Sequence, residues 1–390
     1  MEPQSTAVRG PLTAVRGHLT AVRGLQDASP LLAPMGLVLA VTLLTQLGSA
    51  GVQRGGVLML VYVTLVVSLY MFWGNSGVMS FGRMAFACMA AYLSAILTIP
   101  PGLKHAMLTE LPAFLAHIEL PWIEAIILGG LLAAAFSFVV GLPLSRLSGL
   151  AASIATFAVM VIVYVIASYW TTMTGGHASI SVPMYTNLTS ALLVALITIV
   201  VAYLYQESPF GLRLRASRED EEAARSIGVR VQKERLVAFV LSAFFTGIGG
   251  VLYGHYLGAI ISDSFYVSAA FLPIAMLVVG GRKSLSGAVV GGVVIWAVSE
   301  LMRNIESGVS LGVLNVQGPR GMRELAMGLV KLLILIYRPR GITGGREFSW
   351  PFGRRPRLEI GKESGNESPV EKAATGLSSP STGLRKDQER

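Results

Sequence analysis

The sequence predicts an all-α polytopic membrane protein with about ten transmembrane helices. Of its 390 residues, 53% are hydrophobic and only 14% are charged, the mean hydropathy is +0.62, and the basic residues collect in a few loops between apolar runs. Soluble domains carry about 25% charged residues. Because each charge is costly in hydrocarbon, a depleted charge content is expected of a chain that lies mostly in a bilayer.

The apolar runs define the predicted spans, since a spanning helix needs roughly 20 apolar residues. The predicted spans are 31–49, 56–73, 80–99, 122–143, 149–171, 187–205, 235–258, 268–281, 285–302 and 324–337. An even number of spans places both termini on one side of the membrane. Lys and Arg concentrate in cytoplasmic loops, and the loop at 206–235 is rich in both, so this loop and both termini are predicted to be cytoplasmic. The assignment is least consistent with three basic residues around the last predicted outer loop, Arg303, Arg320 and Arg323.

The chain divides into a leader (1–30), a transmembrane domain (31–345) and a tail (346–390). The leader repeats Thr-Ala-Val-Arg-Gly every seven residues. It is either a basic anchor on anionic lipid or, as we favour, a disordered leader, because a glycine in every repeat weakens a helix. The polar tail is also predicted to be disordered.

Several functions are excluded or disfavoured by what the sequence lacks. It contains no P-loop, no nucleophile elbow and no His-Glu-x-x-His pattern, so an enzyme is not predicted. The single cysteine, Cys88, excludes an intramolecular disulfide. We predict no metal site and no cofactor. The net charge of +9 comes from cytoplasmic flanks and the tail, so membrane lipids, and not nucleic acid, are the predicted partners.

The longest polar loop, residues 206–234, interrupts the apolar pattern in the middle of the chain. Pro209 and Gly211 are predicted to break the preceding helix. Residues 213–227 can then form a short amphipathic helix with a small alanine face, which Gly228 would end. A small apolar face suits docking into a groove on another protein; a solvated surface helix is the alternative.

Two short glycine-rich segments interrupt the spans and are predicted to line a translocation pathway. Backbone breaks inside a membrane are tolerated only where protein or a water-filled path satisfies them. A plain turn between helices is the alternative for each segment. The candidate pathway residues are Gly74, Gly77, Ser80, Gly82, Thr174, Gly175 and Gly176. Ionisable residues within spans are functional candidates by default, and these are Arg83, His255 and Glu300.

Glycines at four-residue spacing predict close helix packing, because small residues let helices approach in lipid. One stripe lies in the last part of the span at 235–258. The other lies in the span at 285–302. The stripes consist of Gly250, Gly254 and Gly258, and of Gly287 and Gly291. They predict either a tightly packed bundle or an interface with a second membrane subunit.

Several motifs resemble one family. Glu222-Ala-Ala-x-x-x-Gly228 resembles the EAA motif by which permeases of ABC importers dock on an ATPase subunit. From about residue 56 to 345, the chain resembles LivM-type permeases of branched-chain amino-acid ABC importers. The four blocks that carry this resemblance begin at Gly74-x-x-Gly-x-x-Ser-Phe-Gly82, Ser148-Gly-Leu150, Ser208-Pro-Phe-Gly211 and Gly321-Met-Arg-Glu324. The chain departs from the first block at Arg83, where the family usually has histidine.

The resemblance implies an ABC importer permease bundle in a bacterial inner membrane. A second homologous permease, two cytoplasmic ATPases and an extracytoplasmic solute-binding protein are the implied partners. The implied substrates are branched-chain or related hydrophobic amino acids, moved by alternating access. A urea or short-amide permease, or an ion-coupled secondary carrier, are the alternatives. The residues implied to couple the permease to the ATPase are Arg215, Arg218, Glu219, Glu222, Ala223, Ala224 and Gly228.

Overall fold

The computed structural model describes residues 29–108, 111–307, 309–311, 314–316, 321–338 and 341–347. The predicted leader and tail lie outside the described residues, apart from 29–30 and 346–347. Arg320, one of the basic residues that fit the predicted orientation least well, also lies outside them.

Helices dominate this part of the chain. They are α1 (Ser29–Gln46), α2 (Ala50–Ser76), α3 (Arg83–Thr98), α4 (Pro101–Met107), α5 (Ala113–Ala116), α6 (Trp122–Leu144), α7 (Gly149–Tyr169), α8 (Thr171–Thr174), α9 (Leu188–Glu207), α10 (Pro209–Glu219), α11 (Glu221–Ser226), α12 (Val231–Leu257), α13 (Val267–Gly280), α14 (Leu285–Ser307) and α15 (Met322–Tyr337). A 3-10 turn, Ser262–Phe265, precedes α13.

Seven of the described helical segments are long and apolar enough to cross a membrane. They are α2, α6, α7, α9, α12, α14 and the segment Ser262–Gly280, which joins the 3-10 turn to α13. The prediction of about ten spans is therefore confirmed for seven. The spans predicted at 31–49, 80–99 and 324–337 correspond to the shorter helices α1, α3 and α15. The span at 80–99 is shortened because the chain stays non-helical from Gly77 to Gly82.

Two small antiparallel sheets depart from the all-α prediction. Strand β1 (Ile180–Ser181) pairs with β2 (Ala259–Ile260), which ties the chain after α8 to the end of α12. Strands β3 (Val309–Leu311) and β4 (Leu314–Val316) pair between α14 and α15. The sheets are short, and the fold remains a helical bundle.

The centre of the bundle is formed by α2 and α12, and small residues set how closely their neighbours approach. A Cβ built on Gly250 of α12 would lie 2.3 Å from the carbonyl oxygen of Ala87 in α3. A Cβ on Gly247 would lie 2.6 Å from the Cβ of Ala133 in α6. Gly254 lies close to the side chain of Ile260, whose Cδ1 would be 3.0 Å from an added Cβ. These contacts are of the small-residue kind by which membrane helices pack closely.

The glycines of α13 and α14 bring these two helices into backbone contact. A Cβ on Gly280 would lie 1.8 Å from the carbonyl oxygen of Gly287, and one on Gly291 would lie 1.9 Å from that of Met276. The predicted stripes thus lie at contacts between helices of this chain. Gly258 differs from the others, because it ends α12 in the left-handed conformation with φ of 73°.

Residues 341–347 form a strap that crosses the turn between α13 and α14. The N–H of Ile342 donates to a carbonyl near the end of α13 at 2.9 Å. The carboxylate of Glu347 accepts from the N–H groups of Leu285 (2.7 Å) and Ser286 (3.1 Å). Glu347 therefore caps the start of α14, from a position just beyond the predicted domain boundary at 345.

Candidate functional site

The 206–234 segment leaves the bundle as a helix that begins earlier than predicted. Helix α9 ends at Glu207, and Ser208 caps α10 by accepting from the N–H of Gly211 at 3.2 Å. The predicted break of the preceding helix is therefore found, but the next helix starts at Pro209 and not at residue 213 as predicted. Proline suits the first position of a helix, where its missing N–H has no partner to lose. Gly211 keeps the turn tight, since a Cβ there would lie 2.2 Å from the carbonyl oxygen of Tyr205.

The single helix predicted over residues 213–227 is also wrong, because Asp220 divides it into α10 and α11. Asp220 is extended, with φ of −150° and ψ of 113°. Its Oδ1 accepts from the N–H groups of Glu222 and Ala223, both at 3.0 Å. Aspartate is a favoured N-cap residue, so its side chain starts a new helix here instead of continuing the first.

Helix α11 presents a small surface to solvent. Gly228 follows it with φ of 88°, and the N–H of Val229 donates back to the carbonyl of Ala224 at 3.0 Å, an arrangement typical of helix ends that use a left-handed glycine. Ala224 is buried, whereas Ala223 is exposed and Ile227 is 77% exposed. Glu222 is also exposed. The outward surface of α11 is therefore small and partly apolar.

Arg218 joins α10 to the end of α2. Its Nη1 donates to the carbonyl oxygen of Gly74, 144 positions away in sequence, and its Nη2 pairs with Glu219 at 2.7 Å. The side chain passes close to Gly77, where an added Cβ would lie 2.7 Å from its Cγ. The structure thus brings together a residue predicted for ATPase coupling and two predicted for the pathway.

Further ion pairs fix α10 and α11 against three neighbours. Glu219 also pairs with Lys283, at 3.3 Å, in the turn between α13 and α14. Glu221 pairs with Arg225 at 2.6 Å and with Arg235 of α12 at 2.7 Å. Arg215 donates to the carbonyl of Gln206 and pairs with Glu207 at 3.5 Å. These residues connect the segment to α9, α12 and the α13–α14 turn.

Two carboxylates in this network have lowered pKa values. Hydrogen bonds from Arg218 and Lys283 lower the pKa of Glu219. Partial burial acts to raise the pKa of Glu221, but the hydrogen bonds and charges of Arg235 and Arg225 outweigh it, so its pKa is also lowered. A carboxylate with a lowered folded-state pKa stabilises the fold above its ordinary pKa, and this contribution is lost as the pH falls through the lowered value.

Acidification should therefore loosen the 206–234 segment before it affects the bundle. The ordinary pKa of both carboxylates is 4.5. The rate of amide hydrogen exchange in this segment should therefore be constant from neutral pH down to about that value and rise below it. The measurement is amide hydrogen exchange, corrected for its intrinsic pH dependence. A Glu219→Gln, Glu221→Gln variant should show faster exchange that no longer depends on pH in this range. An unchanged pH profile in that variant would assign the effect to other groups.

The first predicted pathway segment is an ordered turn that packs on α7. The N–H of Phe81 donates to Oγ1 of Thr156 at 3.2 Å, and Oγ of Ser153 donates to the carbonyl of Met79 at 3.0 Å. A Cβ on Gly82 would lie 2.1 Å from the carbonyl oxygen of Thr156. The turn and α7 are therefore in direct contact, and only glycine fits at position 82.

The second predicted pathway segment lies at the opposite end of α7. Gly175 and Gly176 have φ of 69° and 65°, and Oγ1 of Thr174 donates to the carbonyl of Ala167 at 2.6 Å. Helix α7 has 21 residues, which corresponds to about 31 Å at 1.5 Å per residue. The structure does not bring the two predicted pathway segments together.

Two of the three ionisable residues predicted within spans have local partners. The Nδ1 of His255 lies 2.8 Å from the carbonyl oxygen of Pro183, and its ring is 4.8 Å from that of Trp122. Glu300 pairs with Arg303. Arg83 donates to Ser242 through Nη1, but its Nε and Nη2 have no partner among the described residues.

The described chain is thus a helical bundle with an ion-paired helical segment between α9 and α12. A family model described as the branched-chain amino acid transport system / permease component matches residues 52–336. The chain belongs to this family. It is therefore a multi-pass membrane protein and a non-enzymatic transmembrane component of a transport system. No solved structure shows significant similarity to the permease.

Named relatives agree with the family. The permease is 27% identical over 331 residues to the high-affinity branched-chain amino acid transport system permease protein LivM of Escherichia coli, covering 75% of this chain and 70% of that protein. It is 26% identical over 328 residues to a probable branched-chain amino acid transport permease protein LivM of Methanocaldococcus jannaschii, covering 77% and 95%. A guanosine ABC transporter permease protein, NupQ of Bacillus subtilis, is 35% identical over 92 residues, which cover 24% and 28%.

Proposed function

We propose that this permease is the membrane-spanning subunit of an ATP-driven importer for branched-chain or related hydrophobic amino acids. Transport proceeds by alternating access, and two separate ATPase subunits hydrolyse the ATP. The observation that carries the proposal is the contact of Arg218 with Gly74, because it joins the exposed 206–234 segment directly to a helix in the centre of the bundle. A subunit that moved this segment would move the end of α2 with it.

The proposed complex contains a second homologous permease, two ATPases beneath the 206–234 segment and a solute-binding protein on the opposite face. Both termini lie on the ATPase side, and the membrane is the inner membrane of a bacterium. Large apolar side chains are exposed along α6 and α7, among them Ile123, Leu131, Ile154 and Ile162. Their exposure supports contact with lipid or with the second permease, because exposed apolar patches of this kind mark such surfaces.

The choice of amino acids over other solutes rests on the extent of the matches. The two LivM relatives are matched over 70% and 95% of their length. The guanosine permease is matched over only 28%. We therefore favour amino acids over urea or short amides, and the docking segment argues against an ion-coupled carrier that works alone.

Docking of the ATPases at α11 predicts a selective effect of charge on its exposed surface. In an Ile227→Glu variant, purification of the permease in mild detergent should recover the second permease without the ATPases. The added carboxylate would be desolvated in the docking groove, at a cost of several kcal/mol. Mass spectrometry of the wild-type complex should recover both ATPases.

A matched control uses the same substitution on a different exposed apolar residue. Leu212 of α10 is 52% exposed and lies outside the Glu222–Gly228 motif, so Leu212→Glu should retain the ATPases. Equal recovery of ATPases with the Ile227→Glu variant would contradict docking at α11. Failure of the wild-type chain to recover any ATPase, even after crosslinking, would contradict the importer itself.

A further inference from the structure

Among the described residues, Arg83 is an arginine that is buried without an acidic partner. Arg83, the first residue of α3, is 6% exposed. Its Nη1 donates to Oγ of Ser242 at 2.5 Å, while its Nε and Nη2 have no hydrogen-bond partner within the part of the chain that is described. None of the ion pairs found among the described residues involves it.

Aromatic rings hold this guanidinium in place from two helices. Its Cζ lies 4.8 Å from the ring centre of Phe72 in α2 and 4.9 Å from that of Phe239 in α12. Such contacts favour a cation over the ring faces, but they accept no N–H hydrogen bond of ordinary strength. Guanidinium has five N–H donors and stays protonated in proteins. A buried charge without an anion is costly, so the position favours binding of one.

Arg83 lines a small cavity together with a second residue that has an unpartnered polar group. The cavity measures about 10 Å³, which is room for roughly one water molecule. Ser80, Arg83 and Thr246 supply its polar lining. Oγ of Ser80 is buried and has no partner among the described residues. Its apolar lining comes from Leu65, Leu69, Phe81, Met84, Ala270, Pro273 and Ile274.

The start of α3 adds a third attraction for an anion at the same place. The first N–H groups of a helix have no partner within the helix, and the helix dipole places partial positive charge there. Anions bind at such ends for both reasons. Arg83 is the first residue of α3 and lines the same cavity as Ser80, so the helix end lies close to Ser80.

We propose that Arg83, Ser80 and the start of α3 form a site that receives the carboxylate of the transported solute. This proposal rests on the proposed importer function and names the residues of this chain that would recognise the carboxylate of its substrates. The apolar lining suits a hydrocarbon side chain, and a neutral amide would leave the guanidinium unpaired. The cavity has room for only about one water molecule, so one wall must move to admit the solute. Ala270, Pro273 and Ile274 place α13 at that wall.

The test is ATP-driven leucine uptake by the whole complex, reconstituted with its partner permease, ATPases and binding protein. A charge-assisted hydrogen bond contributes about 1.5–3 kcal/mol. Arg83→Gln should therefore lower uptake by about tenfold or more, with ATP hydrolysis and assembly of the complex retained. Arg83→Lys keeps the positive charge but loses the planar guanidinium with its paired N–H donors. Its uptake rate should lie between those of the wild type and Arg83→Gln. Cys88→Ala, in the same helix and outside the cavity lining, is the control and should transport normally.

A binding measurement on the purified permease pair separates this site from the importer function. Isovalerate has the hydrocarbon side chain and carboxylate of valine, a branched-chain amino acid, and isovaleramide is its neutral counterpart. Isovalerate should raise the melting temperature of the wild type but not of Arg83→Gln, and isovaleramide should raise neither. If the melting temperatures follow this pattern but the wild-type complex takes up no hydrophobic amino acid, the importer function would be contradicted. The carboxylate site at Arg83 would still be supported.

Other outcomes overturn the site and leave the importer standing. Normal leucine uptake by Arg83→Gln would do so, as would equal loss of assembly and ATP hydrolysis in both arginine variants, which would assign Arg83 a purely structural role. Equal stabilisation of the wild type by isovalerate, acetate and chloride, with uptake unaffected in Arg83→Gln, would mean that Arg83 holds a fixed counter-ion and not the solute.

Discussion

Replacing Arg218 by alanine should uncouple ATP hydrolysis from uptake. The guanidinium links α10 to the carbonyl of Gly74 at the end of α2, and its removal leaves that carbonyl without this donor. An unsatisfied buried group costs about 1–3 kcal/mol, which corresponds to a factor of about ten in an equilibrium. Leucine taken up per ATP hydrolysed should fall by about that factor, while ATPases still bind at the exposed surface of α11.

Arg213 offers a matched control for this prediction. It lies on the same helix, and it pairs with Glu234 at 3.4 Å with 53% of its side chain exposed. Exposed pairs of this kind contribute at most about 1 kcal/mol. Arg213→Ala should keep the ratio of uptake to hydrolysis, and an equal loss in both variants would show that the contact with Gly74 has no special role.

A methyl group at Gly291 should strongly destabilise the permease. An alanine Cβ there would lie 1.9 Å from the carbonyl oxygen of Met276, and a backbone atom cannot rotate away as a side chain can. Helices α13 and α14 would have to separate along their whole contact. Overpacking of a core costs typically 1–3 kcal/mol and occasionally more, and we expect about 3 kcal/mol or more. The melting temperature of the purified permease in detergent should fall sharply, together with its yield.

The matched control is Gly36→Ala in α1, where an added Cβ meets nothing within 4 Å. Alanine is favoured over glycine inside a helix by about 1 kcal/mol, so this variant should be unchanged or slightly more stable. A Gly291→Ala variant with an unchanged melting temperature would mean that α13 and α14 do not meet in this way.

Much of the membrane bundle can be predicted from the sequence, because hydrocarbon imposes length and polarity on a span. The end of α11 at Gly228 follows from one residue's backbone freedom, and the ion pair of Glu221 with Arg225 follows from helical spacing. The division at Asp220 could not be predicted in this way. Aspartate can stand within a helix or cap one, and the choice here depends on Asp220 and Glu221 together, since Glu221 pairs with Arg235 in a different helix.

The candidate site was less predictable because its contacts join distant parts of the chain. The 206–234 segment and the glycine-rich turn at 74–82 each stand out from the apolar pattern. Nothing in that pattern shows that Arg218 reaches Gly74, 144 positions earlier. Arg83 was recognisable as an ionisable residue in a span, but whether it has a partner depends on three helices at once. The strap at 341–347 has no signal in hydropathy or periodicity.

Because of this strap, the capping of α14 depends on the last described segment of the chain. Glu347 caps α14 from 62 positions downstream. During synthesis, the N–H groups of Leu285 and Ser286 lack this partner until residue 347 has left the ribosome, whereas the neighbouring Ser284 accepts from the N–H of Gly287. A chain cut short before that residue would carry all of the spans yet leave the N–H groups of Leu285 and Ser286 without their carboxylate partner. The contact of Glu347 with the start of α14 therefore distinguishes a complete membrane domain from a prematurely terminated one.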